Sequence, residues 1–267
     1  MNAQQNAGTD SALLTHVEDA VAWITLNRPQ AINAINDEIR TALPHAVDAA
    51  EANPDVRAIV IRGAGPKGFC AGADIKEFAA VEVPAAYRQE RAHNHWVAAF
   101  ERAAKPLIAS IHGYCLGGGL EIALACDIRI AATSATFGFP ETGHGIIPAA
   151  GGTQRAARVL GLGRALDLIL TGERIDARQA LSMGLVSRLA EPEELGERTL
   201  ALARAIAARP PLACQFAKEA VHAGADLPLQ AGLRRELDLY THLLNTHDRR
   251  EAAEAFREKR RPIYKGR

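Results

Sequence analysis

The stretch "GYCLGGGLEIALACD", residues 113–127, places three consecutive glycines between a short apolar segment and a helical pattern. Glycine costs conformational entropy when its backbone is fixed, so it weakens the helix or strand that contains it. Three in a row therefore indicate a sharp turn, or a place where another molecule contacts the backbone. Glu121 follows the triplet at once, in the first turn of a helix predicted over 118–126.

Strand and helix patterns alternate on both sides of this stretch. Two strands around a turn at Glu18–Asp19 are predicted first, and short strands are predicted again within "DIRIAATSATFGF" and "GLVSRLA". Buried strands are expected at 57–63 and 106–113, with helices over 36–53, 74–80 and 84–104. This alternation predicts a mixed α/β core over residues 11–190.

Both ends of the chain differ from this core. Residues 1–10, "MNAQQNAGTD", are polar, and we expect them to be disordered. From residue 191 to 267 the apolar periodicity is helical, and its stripes should pack on the core or on another subunit. The predicted helices of this C-terminal region span 193–208, 211–224, 228–246 and 248–259.

The composition excludes several classes of protein. Lys and Arg together number 31, as do Asp and Glu, so nothing favours nucleic acid or an acidic membrane surface as a partner. No apolar run reaches the roughly eighteen residues of a membrane span, and the first residues lack the pattern of a secretory signal. No residue set has metal-ligand spacing, so no metal is expected. The cysteines form no CxxC pair and are expected to be reduced in a cytoplasmic protein: Cys70, Cys115, Cys126 and Cys214.

One glycine motif suggests a nucleotide site and is rejected. Gly63, Gly65 and Gly68 form G-x-G-x-x-G directly after a predicted strand. A dinucleotide fingerprint also needs a helix that starts within the glycine run, and Pro66 with the later Gly72 is incompatible with one. The chain also contains no P-loop and no G-x-S-x-G motif.

Two further segments can combine with the glycine triplet into a site. They are "FCAGADIKEF" at 69–78 and "FGFPETGHGIIPAAGGTQR" at 137–155, in which Glu141 follows Pro140. Unpaired N–H groups at helix starts that lack bulky side chains can bind a carbonyl oxygen, and two of them would form an oxyanion hole. Carboxylates in apolar surroundings are candidates for proton transfer. The structural alternative is that Glu121 and Glu141 complement helix dipoles, and that Asp74 caps a helix.

These segments together resemble the enoyl-CoA hydratase/isomerase family, also called the crotonase family. The resemblance covers nearly the whole chain from about residue 11, in the family's order, and includes "NRP" with "AINAIN" (27–36), "LTGERIDARQALSMGLVSRL" (170–189) and "FREKRRPIYKG" (256–266). It implies an α/β fold, a spiral of β-β-α units whose C-terminal helices mediate homotrimers or homohexamers.

The resemblance also implies the site residues. The thioester oxygen of an acyl-CoA would be held by the backbone N–H groups of Ala73 and Gly118, while Glu121 and Glu141 would bind and activate water. It implies no cofactor, because the coenzyme A is part of the substrate. Residues expected near the coenzyme A are Lys67, Ala71, Asp74, Ile75 and Lys259.

The pair of glutamates favours a hydratase, which adds water to trans-2-enoyl-CoA thioesters. The alternatives are an isomerase, a hydratase for branched or aromatic acyl groups, and a non-catalytic protein that binds RNA or acyl-CoA on the same scaffold. His144, Ala149 and Phe139 depart from residues common in the family near Glu141, so the acyl preference stays open.

Overall fold

The computed structural model describes residues 11–74 and 96–267, together with Lys76 and Arg88. The helix predicted over 74–80 and most of the helix predicted over 84–104 lie outside these residues. The described strands are β1 Leu13–Glu18, β2 Val21–Leu26, β3 Ala58–Gly63, β4 Gly68–Cys70, β5 Leu107–Ile111, β6 Tyr114–Leu116, β7 Ile128–Ala132, β8 Thr136–Gly138, β9 Ile175–Asp176 and β10 Arg188–Ala190.

Helices connect these strands and form the C-terminal region. We number the described α-helices in chain order as α1 Asp37–Ala52, α2 Ala98–Arg102, α3 Gly118–Ala125, α4 Gly152–Leu160, α5 Leu162–Thr171, α6 Ala177–Ser182, α7 Leu195–Ala207, α8 Pro211–Ala225, α9 Leu229–Leu243 and α10 His247–Glu258. The Asn36 side chain accepts a hydrogen bond from the Ile39 N–H and so caps α1, which contains Pro44 as expected.

Successive strands alternate between two sheets. The six-stranded sheet has the order β1-β2-β3-β5-β7-β10, and the four-stranded sheet has the order β4-β6-β8-β9. Each of the consecutive pairs β3–β4, β5–β6 and β7–β8 therefore contributes its first strand to the six-stranded sheet and its second strand to the four-stranded sheet. This repetition is the predicted spiral of β-β-α units, with helices in the C-terminal region also as predicted.

The six-stranded sheet lies between two apolar layers. Strands β2 and β5 are buried along their whole length, as parallel strands covered on both faces must be. One face packs on the main core with α1 and α3, and α7 covers the other face through Leu195, Leu202 and Ala203. The sheet thus holds the ends of its strands, and the segments that follow them, in fixed positions.

Asn33 anchors the "AINAIN" stretch to the loop between β3 and β4 by hydrogen bonds. Its side chain is fully buried, and its Nδ2 donates to the carbonyls of Ala64 and Gly68, each at 2.9 Å. Its Oδ1 accepts the Arg28 N–H at 2.9 Å. Two residues further on, Ile35 forms a parallel bridge with Ala73. The "AINAIN" stretch therefore fixes the loop that carries Ala73.

Two details of the sequence interpretation need correction, and a third agrees with it. Residues 69–70, expected to begin a loop, belong to strand β4, because they pair with β6 in the second sheet. A second strand, β9, lies beyond Gly151, where only "GLVSRLA" was expected, because its two residues pair with β8. Gly68 of the G-x-G-x-x-G motif starts β4 and not a helix, which agrees with rejecting a dinucleotide site.

The C-terminal helices attach to the core through a half-buried ion pair. Asp127, after α3, accepts from Lys218 of α8 at 2.9 Å and lies 2.8 Å from the His222 ring. Cys70, Cys115 and Cys126 are buried and free, as predicted, whereas Cys214 of α8 is half-buried. Within residues 11–74 and 96–267, no helix has the length and apolar character needed to cross a membrane.

Candidate active site

The glycine triplet starts α3 at a sharp turn. Gly117 precedes the helix with φ 50° and ψ −124°, a conformation that side-chain-bearing residues rarely adopt. Its N–H donates to the Gly138 carbonyl at 2.9 Å, which continues the pairing of β6 with β8. This contact places the start of α3 beside the segment that carries Glu141.

Two backbone N–H groups meet at this turn. Ala73 faces Ile35 across a parallel bridge whose hydrogen bonds involve the Gly72 carbonyl and the Asp74 N–H, so the N–H of Ala73 itself points away from Ile35. A Cβ on Gly118 would lie 3.7 Å from the Ala73 nitrogen, so the two segments are in contact. Neither the Ala73 N–H nor the Gly118 N–H donates to any of the residues that the structure describes. The pair can therefore bind one carbonyl oxygen from a ligand.

Glu121 lies in the first turn of α3 and is only 4% exposed. Its Oε1 accepts the N–H of Ala150 at 2.7 Å and that of Gly152 at 2.8 Å. A Cβ on Gly152 would approach this oxygen to 2.8 Å, so residue 152 must be glycine for the contact to form. The carboxylate is thereby fixed through one oxygen, and no described residue donates to the other.

Glu141 lies on a short 3₁₀ helix, Pro140–His144, directly after β8. The Thr142 hydroxyl donates to the Ile169 carbonyl of α5 at 2.9 Å and so fixes this turn. A Cβ on Gly117 would lie 2.7 Å from Oε1 of Glu141, so the carboxyl group rests against the glycine turn. Its Oε2 is buried and has no hydrogen-bond partner among the described residues.

The two carboxyl groups have different electrostatic surroundings. Burial, together with the nearby charge of Glu121, raises the pKa of Glu141 to about 7. Burial also raises the pKa of Glu121, but the Gly152 and Ala150 N–H groups and the charge of Arg155 oppose that rise. Near neutral pH, Glu141 can therefore hold a proton, whereas the N–H donors and Arg155 limit the rise in the pKa of Glu121.

The residues expected near coenzyme A lie in varied places. Asp74 accepts from Arg28 at 2.9 Å, and this hydrogen bond lowers the pKa of Asp74. The Ala71 N–H donates to the Ile32 carbonyl, and Lys67 is exposed on the turn between β3 and β4. Lys259 is exposed at the end of α10 with φ 55°. Ile75 lies outside the described residues, and the contact of all five with coenzyme A stays a prediction.

The three departures near Glu141 differ in exposure. Phe139 is fully buried, so it contributes to the core beneath the turn. His144 and Ala149 are exposed on either side of Ile146 and Ile147, two exposed apolar side chains. Their effect on acyl preference stays open.

The sequence interpretation missed the groups that hold Glu121. These are the N–H groups of Ala150 and Gly152, and Arg155 behind them. The adjacent glycines of "AAGGTQR" could have indicated these groups. Like the glycine triplet at 117–119, they form a turn without bulky side chains before a helix, and the N–H groups at a helix start lack partners within the helix.

Comparison with known proteins shows which family the chain belongs to. The family model described as "Enoyl-CoA hydratase/isomerase" matches residues 16–267. The chain belongs to the enoyl-CoA hydratase/isomerase family. The two carboxyl groups and the paired N–H groups thus lie in a protein of the family that the sequence motifs indicated.

Relatives match this family member over nearly their whole length. The 2,3-dehydroadipyl-CoA hydratase of Escherichia coli is 41% identical over 96% of this chain and 100% of its own. The short-chain-enoyl-CoA hydratase of Clostridium acetobutylicum is 38% identical over 91% and 94%. A crystal structure of an enoyl-CoA hydratase from Bacillus anthracis superposes with a TM-score of 0.90 at 39% identity, covering 96% of this chain and 100% of that one.

The raised pKa of Glu141 predicts a specific effect on stability. Between its ordinary value of 4.5 and about 7, the folded state binds more protons at this site than the unfolded state, so stability falls as pH rises through that window. Glu141→Gln removes this loss. We expect the variant to exceed the wild type in Tm by at least about 2 °C at pH 8 and by less at pH 5.

Glu193→Gln, at an exposed position, is the matched control and should show the same Tm difference at both pH values. Scanning calorimetry at pH 5 and pH 8 makes the comparison. A Glu141→Gln difference that does not grow with pH would contradict the raised pKa.

Proposed function

We propose that this protein is an enoyl-CoA hydratase, which adds water reversibly to trans-2-enoyl-CoA thioesters to give 3-hydroxyacyl-CoA. The observation that carries the proposal is the pairing of two unlike carboxyl groups beside two backbone N–H groups that donate to no residue that the structure describes. An isomerase needs only one group that moves a proton, so the second fixed carboxylate, Glu121, favours hydration.

The N–H groups of Ala73 and Gly118 would bind the thioester oxygen. As water attacks C3, the π electrons move toward that oxygen and an enolate forms. Hydrogen-bond donors already in position stabilise this charge without reorganisation, and one such donor typically contributes about 3 kcal/mol to the transition state. No side chain intervenes at Gly118, so the oxygen can reach both donors.

The two glutamates would divide the proton transfers. Glu121, held as a carboxylate through Oε1, takes a proton from the attacking water, whose oxygen bonds to C3. Glu141, with a pKa of about 7, donates its proton to C2. Because Glu121 then carries a proton and Glu141 has lost one, a proton must pass between them or through solvent before the next turnover. The chemistry asks for no cofactor beyond the substrate's coenzyme A.

We propose the substrate as an enoyl-CoA and assign it no particular acyl chain. The two named relatives have nearly equal identity, yet one carries "short-chain" in its name and the other acts on a dicarboxylic acyl-CoA by name. Lys67 and Lys259 are the candidate contacts for the coenzyme A phosphates, because both ammonium groups are on exposed residues. The buried free thiols are consistent with a reducing, cytoplasmic location.

Crotonyl-CoA hydration tests the function. We expect the wild type to remove the absorbance of the conjugated thioester, and Glu141→Gln and Glu121→Gln each to lower kcat at least about 100-fold, since positioned acids and bases typically contribute 10²–10⁴-fold. The wild-type kcat/KM for hydration should fall as pH rises through about 7, because Glu141 then loses the proton it must donate.

Glu193→Gln again serves as the control, with expected turnover equal to wild type. Activity that survives both site substitutions would contradict the assigned roles. No turnover by the wild type with crotonyl-CoA or with longer, branched and aromatic enoyl-CoA would contradict the function, and salt-dependent RNA binding in that case would support the non-catalytic alternative.

We also propose that the chain assembles as a trimer or a pair of trimers. Helix α9 and the residue after it expose an apolar stripe at helical spacing: Leu229, Leu233, Leu237, Tyr240 and Leu244. Helix α5 exposes another, formed by Leu162, Leu166 and Leu170. Contiguous apolar surface of this kind is typical of protein interfaces.

Light scattering should give three or six times the 28.5 kDa chain mass. Leu233→Glu with Leu237→Glu places charges in the α9 stripe and should lower that mass, whereas Arg234→Glu, beside the stripe on an exposed position, should not. A wild-type mass of one chain would contradict assembly.

A further inference from the structure

The Arg155 guanidinium lies against the turn that binds Glu121. Its Nη1 donates to the Ala150 carbonyl at 2.9 Å, while its backbone N–H donates to the Gly151 carbonyl at 2.8 Å. A Cβ on Gly151 would lie 1.9 Å from Nη1, so the guanidinium occupies the space beside this glycine. Both the side chain and the backbone of Arg155 therefore hold residues 150–152.

The turn at residues 150–152 contains a flexible glycine, so its conformation depends on contacts with other residues. Gly151 has φ 95°, and with no Cβ it gives the adjoining peptides unusual rotational freedom. The peptide between Ala150 and Gly151 lies between the two peptides whose N–H groups bind Glu121. Rotation about ψ of Ala150 or φ of Gly151 would change the angle between those neighbouring peptides, and the two N–H groups would no longer converge on one oxygen. A hydrogen bond to the Ala150 carbonyl opposes this rotation.

Arg155 is itself held from the opposite side. It forms an ion pair with Glu101 of α2, and its side chain is only 18% exposed. Arg155 and Glu101 both line a cleft of about 930 Å³, whose walls also include residues of α3, α4 and α8. The residue thus links α2 to the Glu121 turn across the edge of this cleft, and its positive charge adds to the forces that favour an ionised Glu121.

We propose that Arg155 is a positioning residue for water addition: through the Ala150 carbonyl it keeps two N–H groups aimed at Oε1 of Glu121, so that the second carboxylate oxygen is free to bind the water. The proposal rests on the proposed hydratase function for its role in turnover. The contacts that position Glu121 are present in the free protein, so their effect on Glu121 can be measured without substrate.

Three variants separate positioning from folding. Arg155→Met removes the guanidinium and keeps a similar apolar length, whereas Arg155→Lys keeps the charge without the planar fork. Arg158→Met is the matched control, because Arg158 lies on the same helix but pairs with Asp226, away from the turn. Circular dichroism and Tm identify any variant that fails to fold.

We expect Arg155→Met to lower kcat about 10- to 100-fold while KM changes by less than about 3-fold, because a misdirected Glu121 affects the water step more than binding. The acidic limb of its kcat profile should move to higher pH, since the carboxylate loses a stabilising charge. In Arg155→Lys, the acidic limb of the kcat profile should lie at its wild-type pH. The value of kcat should recover only in part. Arg158→Met should match the wild type in both.

A second measurement follows Glu121 directly. Isotope-edited infrared difference spectra against Glu121→Gln report the protonation of this carboxyl group over the pH range, and Arg155→Met should raise its midpoint. If the wild type hydrates no enoyl-CoA but the midpoint still moves, the hydratase function fails while the hold on Glu121 stands. An unmoved midpoint in folded Arg155→Met, or an equal loss of kcat in Arg158→Met, would overturn the proposal.

Discussion

The hydrogen bond from the Gly117 N–H to the Gly138 carbonyl joins the two halves of the site. It extends the pairing of β6 with β8 by one residue, and the two chains then diverge, one into α3 and the other into the turn of Glu141. The start of α3, its unpaired N–H group and Glu141 therefore lie together. The bare backbone at Gly117 is what lets the Glu141 carboxyl group approach this closely.

The different tasks that we propose for the two glutamates rest on their different surroundings. Glu121 has two N–H donors and a nearby guanidinium, all of which stabilise a negative charge. Glu141 has a buried oxygen that no described residue contacts by a hydrogen bond, and a like charge nearby, both of which favour the protonated form. Environments that separate the pKa values of two carboxyl groups assign one as base and the other as acid. The proposed direction of proton transfer thus rests on the contacts of each side chain.

The sequence predicted the parts of this structure that depend on local pattern. The glycine triplet, the helix after it and both glutamates follow from residues within a few positions of each other. The strand β4 was missed because three residues show no periodicity, and their strand character comes from pairing with β6. The hold on Glu121 was missed for a related reason: Ala150, Gly152 and Arg155 are about thirty positions away, and only the fold makes them neighbours. The acyl preference could not be predicted, because it depends on side chains around the substrate.

In the proposed mechanism, Glu141 transfers the C2 proton while Glu121 binds and deprotonates the water. The most direct test uses butyryl-CoA in heavy water, since a saturated thioester can exchange its C2 proton but cannot add or lose water. We predict that the wild type and Glu121→Gln both exchange this proton, and that Glu141→Gln is at least about 100-fold slower. Exchange that survives in Glu141→Gln and disappears in Glu121→Gln would contradict the assignment.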